Sequence, residues 1–260
     1  MNYYHSITEI PGQKASEEQI ARIYHRYRFA KEFAKAKDVL EIACGSGIGL
    51  GFLAGIARSI VGGDIDRTNV KIASGIYKGT SIQIKEMDAH KLPFEDKSFD
   101  LVLLFEAIYY LESPQDFLKE AARVLRSDGR LIICTVNKDW IDFHPSQYSN
   151  TYFSLPELNN LLNLDFREIH AFGAFPAEMK GFKSYLFSRI KRTAVRFSLI
   201  PGSLSARAYM KRIFMGPLKP LPNQVFEGMV PYEPPTSIPL EKSTTDFKII
   251  YLSAVKRKND

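Results

Sequence analysis

Apolar and polar positions divide the chain into short continuous apolar runs alternating with amphipathic stretches, the pattern of a parallel α/β sheet flanked by helices. Residues 15–37 place Ile20, Ile23, Tyr24, Tyr27 and Phe29 at roughly helical spacing and predict a helix leading into the first strand. Val39-Leu40-Glu41-Ile42 is an apolar run interrupted by one acid; Ala43-Cys44-Gly45-Ser46-Gly47-Ile48-Gly49 follows, and apolar periodicity resumes over 48–57. Together they read as a buried strand, a tight loop and a helix. Further strands are expected at 59–64, 82–86 and 98–105, the last apolar throughout and so buried on both faces. An amphipathic helix at 117–124 precedes a fifth strand at 130–136, with Gly129 in the tight connection. A helix at 155–164, capped by Ser154 with Pro156 at its first position, leads to a sixth strand at 166–172. The seventh lies at 247–255.

The glycine loop is the first candidate for chemistry. Glycine there lets the backbone visit positive φ and lets a ligand approach without a Cβ in the way, and the following helix presents free N–H groups. A dinucleotide fingerprint beginning at Gly45 fails, because its third glycine falls on Leu50. Glu41, just before the loop, suits a cationic or hydroxyl-bearing ligand better than a pyrophosphate. Asp64, ending the second strand about 20 residues past the loop, is placed to accept ribose hydroxyls, while Asp66 reads as the N-cap of the next helix.

Taken together, E-x-A-C-G-S-G-x-G resembles motif I of the class I S-adenosylmethionine-dependent methyltransferases. The R-V-L-x-x-x-G-R-L turn beginning at Arg123 extends the resemblance. It is similar to the methyltransferase domain 11/25-like group, whose members with an R-Y-x-F-A stretch before motif I include some associated with surface polysaccharide assembly. The resemblance implies a Rossmann-like, seven-stranded sheet of order 3-2-1-4-5-7-6 with strand 7 antiparallel. Helices would cover both faces. Where the family often joins strands 6 and 7 by a short connection, this chain has about 70 residues, read as a helical, proline-rich insertion. The resemblance also implies S-adenosylmethionine as cofactor, leaving as S-adenosylhomocysteine, against Tyr27, Glu41, Ala43, Gly45, Ser46, Gly47, Gly49, Asp64, Ile65, Asp88, Ala89 and Phe105. Asp88 would accept from the adenine amino group. Where many relatives carry a histidine, this chain has Tyr110. Candidates for a general base are then Glu106, Tyr109 and His144. The helix at 15–37 is read either as a cap with a solvated basic face or as a lid with Tyr27 or Arg26 near the methionine carboxylate.

Composition adds limits. The 260 residues are 45% hydrophobic and 25% charged, near globular averages, and are read as a single domain over 1–260. No run is long and apolar enough to span a membrane, and residues 1–14 lack the features of a signal peptide; a cytoplasmic location is expected. The two cysteines do not suggest a disulfide framework, and the five histidines lack metal-ligand spacing, so no metal is expected. Net charge is +6, but ten basic residues and no acid fall between Lys180 and Lys219, inside an insertion spanning 176–243. That segment is either a passive cover, a substrate lid, or a surface for phosphates or for peripheral membrane contact through 180–219.

The expected function is methyl transfer to a small-molecule acceptor, a sugar or other hydroxyl, of anionic character if it is a nucleotide sugar or lipid-linked glycan. A lipid-linked or membrane-associated acceptor is the alternative. A non-catalytic cofactor-binding scaffold and an NAD-dependent reductase are further readings. Amino-methylation of nucleic acid is disfavoured, because the fourth strand ends in Phe-Glu-Ala rather than Asn/Asp-Pro-Pro-Tyr.

Overall fold

A computed structural model describes residues 8–177 and 217–258. The helices expected between 186 and 215, and all but Lys219 of the ten basic residues, lie outside the described residues.

The elements run β1 (Lys14–Ala15), α1 (Glu17–Ala34), β2 (Asp38–Ile42), α2 (Leu50–Ala54), β3 (Ser59–Asp64), α3 (Arg67–Ile76), β4 (Gln83–Glu86) and β5 (Phe99–Phe105). After a 3-10 turn at Ile108–Tyr110 come α4 (Pro114–Val124), β6 (Leu125–Val136), α5 (Leu155–Leu162), β7 (Phe166–Pro176), β8 (Lys219–Pro220), β9 (Thr236–Ile238) and β10 (Phe247–Lys256). The large sheet has the order β4-β3-β2-β5-β6-β10-β7-β9. Its first seven strands follow the expected 3-2-1-4-5-7-6, β10 lies antiparallel between β6 and β7, and β9 adds an eighth strand beyond β7.

Local chemistry explains where the helices begin. Ser16 and Gln19 form a reciprocal capping box at α1, and Asp66 accepts from the N–H groups of Thr68 and Asn69, the cap role expected of it. Ser113 caps α4. Ser154 caps α5 in a box with Glu157, which puts Leu155 first and Pro156 second in the helix rather than first. Helix α2 is five residues long, shorter than its apolar periodicity predicted, with Gly55 as its C-cap. It is too short to act as an anion-binding dipole. The turn before the fifth strand also differs: Asp128 takes the left-handed conformation (φ 62°). Gly129 is needed there for space, since a Cβ would come 2.8 Å from the Arg126 carbonyl oxygen.

Alternation along the strands sorts side chains between two cores. In β5, Leu101, Leu103 and Phe105 join the core beneath α1 and α2, while Val102 and Leu104 join the core beneath α4 and α5. In β2, Val39 joins the first core and Leu40 and Ile42 the second. Period 2 therefore turns Glu41 towards α1. Because β10 starts opposite Val136 and β7 ends opposite Phe247, the chain leaves and re-enters the sheet at the edge where β2, β3 and β5 end.

The proline-rich tract does more than cover a sheet edge. β8 pairs with β1, Leu221 and Val225 are buried in the core under α1 and α2, and the Val225 N–H donates to the Ile48 carbonyl (2.8 Å). Glu227 accepts from the Tyr24 hydroxyl (2.9 Å) and pairs with Lys31 (2.5 Å). The tract thus clamps α1 onto the sheet. Leu221→Ala is expected to cost about 2–5 kcal/mol of stability, read as a lowered denaturant midpoint at unchanged m value; a midpoint shifted by less than measurement error would show that the clamp is not load-sharing.

Candidate functional site

The C-terminal ends of β2, β3, β4 and β5, together with α1 and residues 8–9, enclose a cavity of about 390 Å³. Its position follows the rule for open α/β sheets, in which ligands sit beyond the carboxyl ends of the strands.

The loop after β2 forms one wall. Ala43, Gly45 and Gly47 adopt positive φ (55°, 58° and 73°), which turns the chain sharply enough to expose Ala43, Gly45 and Ser46 to the cavity. Gly47 and Gly49 do not line it. The Gly47 carbonyl instead accepts from the Tyr77 hydroxyl (2.6 Å), and Gly49 makes room for Tyr27, whose ring would lie 2.0 Å from a Cβ at that position. Those two glycines shape the loop from behind.

Tyr27 is fully buried and donates its hydroxyl hydrogen to Glu41 Oε1 (2.6 Å). Glu41 is 2% exposed and lines the cavity. Its Oε2 is buried without a hydrogen-bond partner among the described residues. Burial pushes the Glu41 carboxyl up to about 7, against the pull of the Tyr27 hydrogen bond and the nearby Arg26 charge. Arg26, one residue before Tyr27 on α1, is 6% exposed and lines the same cavity. A buried guanidinium beside a buried carboxylate that lacks a donor matches the carboxylate and ammonium of an amino acid. A pyrophosphate would meet that carboxylate unfavourably.

Asp64 is buried and already busy. Its Oδ2 accepts from the Gly45 N–H (2.9 Å), and its Oδ1 from the Asp66 N–H (2.8 Å) and Asn69 Nδ2 (3.3 Å). A carboxylate offers about four acceptor positions, so fewer are open to a ribose than an unencumbered acid would provide. Ile65 follows, 42% exposed and in the cavity wall. Asp88 and Ala89 line the far end, where His90 Nδ1 meets Asp88 Oδ1 at 2.6 Å. The Ser113 N–H donates to His90 Nε2 (3.3 Å), which makes Nδ1 the protonated nitrogen and donor to Asp88.

At the end of β5, Phe105 packs edge-on against Tyr27 (5.3 Å between centroids), and Glu106 sits in the left-handed region (φ 51°). That turn projects Glu106 into the cavity wall, where it accepts from the Tyr109 hydroxyl (2.9 Å). Burial raises the Glu106 carboxyl, opposed by the charges of Arg26 and Arg22. Tyr109 is buried and stacked on Tyr152 at 4.6 Å. His144 is exposed and is not among the cavity-lining residues. The structure brings Glu106 and Tyr109 together and leaves His144 apart. It also adds Glu9, Gln19, Arg22, Asn69 and His90 to the wall. None of these was singled out in the sequence, although Arg22 lies one helical turn before Arg26 on α1. Among the described residues no cluster of three or more ligating side chains could hold a metal ion.

A family model described as a methyltransferase domain matches residues 40–133, the stretch that supplies the glycine loop, Asp64, Asp88 and Glu106. That stretch, about a third of the chain, is similar to a methyltransferase domain. The chain is 36% identical over 112 residues to a probable S-adenosylmethionine-dependent methyltransferase of Mycobacterium tuberculosis, covering 43% of this chain and 39% of that protein. It is 33% identical over 151 residues to a phthiotriol/phenolphthiotriol dimycocerosates methyltransferase of Mycobacterium ulcerans, covering 57% and 53%. The chain therefore spans about half or less of the length of these curated relatives. A methyltransferase of Thermotoga maritima shares the fold, with a TM-score of 0.56 at 19% identity over 92% of this chain and 91% of that one. The Mycobacterium tuberculosis relative is named for S-adenosylmethionine, a molecule whose amino-acid end has the charges that Arg26 and Glu41 complement.

Burial of Glu41 has a stability consequence. Its carboxyl titrates near 7 in the folded chain against about 4.5 unfolded, so between those values the folded state holds more protons and stability falls as pH rises. The full effect is about 3 kcal/mol. Denaturant unfolding of the ligand-free protein at pH 5 and pH 8, compared with Glu41→Gln, should show a smaller loss in the variant. Equal losses would mean that Glu41 is already ionised at pH 5.

Proposed function

We propose that this methyltransferase moves a methyl group from S-adenosylmethionine to a hydroxyl of a small-molecule acceptor, a sugar or a related alcohol. The observation that carries the proposal is one continuous cavity with Arg26 and Glu41 in its wall and with Glu106, held by Tyr109, on the adjoining strand end. Arg26 and Glu41 receive the carboxylate and ammonium of the cofactor. Asp64 takes a ribose hydroxyl with its remaining capacity, and Asp88, its other oxygen engaged by His90, faces the adenine. When bound, the cofactor supplies a methyl group on an already activated sulfonium.

The protein's task is then positioning and proton removal. Glu106 accepts the acceptor's hydroxyl proton as the new O–C bond forms and the C–S pair returns to sulfur. Its raised affinity for a proton suits it to that step, and the Tyr109 hydroxyl orients the carboxylate. Charge also limits the acceptor. The guanidinium groups of the cavity wall, Arg22 and Arg26, are paired with Glu18 and Glu9, and Glu106 and Glu112 stand at the acceptor end. The part of the acceptor that enters the described cavity is therefore uncharged, and any phosphate it bears lies outside.

A lipid acceptor is the second reading, supported by the relative named for phthiotriol/phenolphthiotriol dimycocerosates and by the basic run at 180–219. Among the described residues no helix is long and apolar enough to cross a membrane, so a lipid acceptor would be met at a surface.

Labelled methyl transfer into cell extract, followed by partition, distinguishes the two. Label in an aqueous sugar pool is expected, and label confined to lipid would replace the first reading by the second. With the acceptor in hand, Glu106→Gln is expected to lower kcat about 10²–10⁴-fold while leaving cofactor affinity within a factor of two or so; normal turnover would remove Glu106 from the mechanism.

A further inference from the structure

Residues 8–13 form a strap that runs from the cavity wall, which Thr8 and Glu9 line, to the proline-rich tract. The Gly12 N–H donates to the Leu221 carbonyl (2.9 Å) and the Leu221 N–H to the Gln13 carbonyl (2.8 Å), so the strap is tied to the tract that clamps α1. Nearer the loop, Asn69 Nδ2 donates to Thr8 Oγ1 (3.0 Å) and the Ser46 hydroxyl to the Glu9 carbonyl (2.6 Å). The Glu9 carboxylate then reaches the buried end of the cavity. Its Oε1 accepts from Arg26 Nη1 (3.2 Å) and its Oε2 from Arg26 Nη2.

We infer that Glu9 is a latch: a resident carboxylate that holds Arg26 in the place the cofactor's own carboxylate takes, and that must let go before the amino-acid end of the cofactor can seat. The inference rests on the reading of the site given above. Glu9 spans both terminal nitrogens of the guanidinium, the fork geometry that recognises carboxylates. A second carboxylate arriving at the same nitrogens competes with it directly.

The two partners differ in what separation costs them. Arg26 has a side chain only 7% exposed, whereas Glu9 is 34% exposed. A buried guanidinium left without a counter-charge is strongly destabilising, but a partly exposed carboxylate regains water when it moves. Arg26 therefore always needs a carboxylate, and Glu9 is the one that can leave. The exchange also supplies what the ligand-free site lacks, because the ammonium that arrives with the ligand's carboxylate meets the unpartnered Glu41 Oε2. A ligand without an amino-acid end offers Arg26 nothing in return and leaves the latch closed. The apparent affinity for the cofactor is reduced by the fraction of molecules with the latch closed, a cost that removal of the Glu9 charge abolishes.

The test is calorimetric titration of the wild type and Glu9→Gln with two nucleosides: S-adenosylhomocysteine and 5′-methylthioadenosine, which lacks the amino-acid end. Glu9→Gln is expected to bind S-adenosylhomocysteine about tenfold more tightly and 5′-methylthioadenosine with unchanged affinity. Unchanged or weaker binding of S-adenosylhomocysteine, or equal tightening of both nucleosides, overturns the latch while the reading of the cavity stands. Failure of the wild type to bind either nucleoside overturns the reading of the cavity and the latch with it. Glu9→Asp keeps the charge and shortens its reach, so it serves if Glu9→Gln does not fold. It should tighten S-adenosylhomocysteine binding by a smaller factor, and no change in that variant overturns the latch.

Discussion

The site depends on one hydrogen bond, from the Tyr27 hydroxyl to the buried carboxyl of Glu41. Strand periodicity turns Glu41 towards α1, and the absence of a side chain at Gly49 lets the Tyr27 ring approach closely enough to reach it. The bond satisfies one oxygen and leaves the other unpartnered. A carboxyl in that state is costly to ionise and gains most from a cation, so this wall of the cavity suits a positively charged ligand end. Helix α1 must be held down for this to work, and the proline-rich tract holds it through Leu221, Val225 and Glu227.

Two of the strand ends that face the cavity finish in a left-handed residue that is not glycine: Ala43 after β2 and Glu106 after β5. Such backbone is uncommon, carries a cost that surrounding contacts must offset, and concentrates at functional sites. Each turn redirects the chain at the sheet edge. Ala43 opens the glycine loop, and Glu106 enters the wall instead of following the alternation of its strand. Its N–H is fixed by the Cys134 carbonyl at 2.7 Å, so the turn is anchored on the neighbouring strand. The two parts of the cavity wall are thus built by the same device on adjacent strands.

Strand positions and the Asp66 cap were legible in the sequence because each depends on residues close together in the chain, whereas sheet order followed from the family resemblance carried by the glycine loop and the turn after Arg123. The wall residues Glu41, Asp64, Asp88 and Glu106 were legible because they end strands whose order the motifs specify. Glu9 was not, since its importance comes from a partner 17 residues away and from a strap whose course depends on Leu221. The clamp formed by Glu227 was hidden for the same reason: Tyr24 lies 203 residues earlier. His144 attracted attention by its chemistry alone, and the loop that carries it turns it to solvent. Gly47 and Gly49 shape the loop without lining the cavity, because a motif shows where glycine is needed and not which side of the backbone needs the space.

The central claim is that a carboxyl buried at Glu41 waits for the cation of the cofactor. Calorimetric titration with S-adenosylhomocysteine at pH 7, in buffers of different ionisation enthalpy, tests it most directly. An ammonium placed against Glu41 should convert its protonated fraction to the ionised form, releasing about half a proton per ligand bound, and Glu41→Gln should release none of it. Saturable binding with no proton release, or the same release in the variant, would contradict the account.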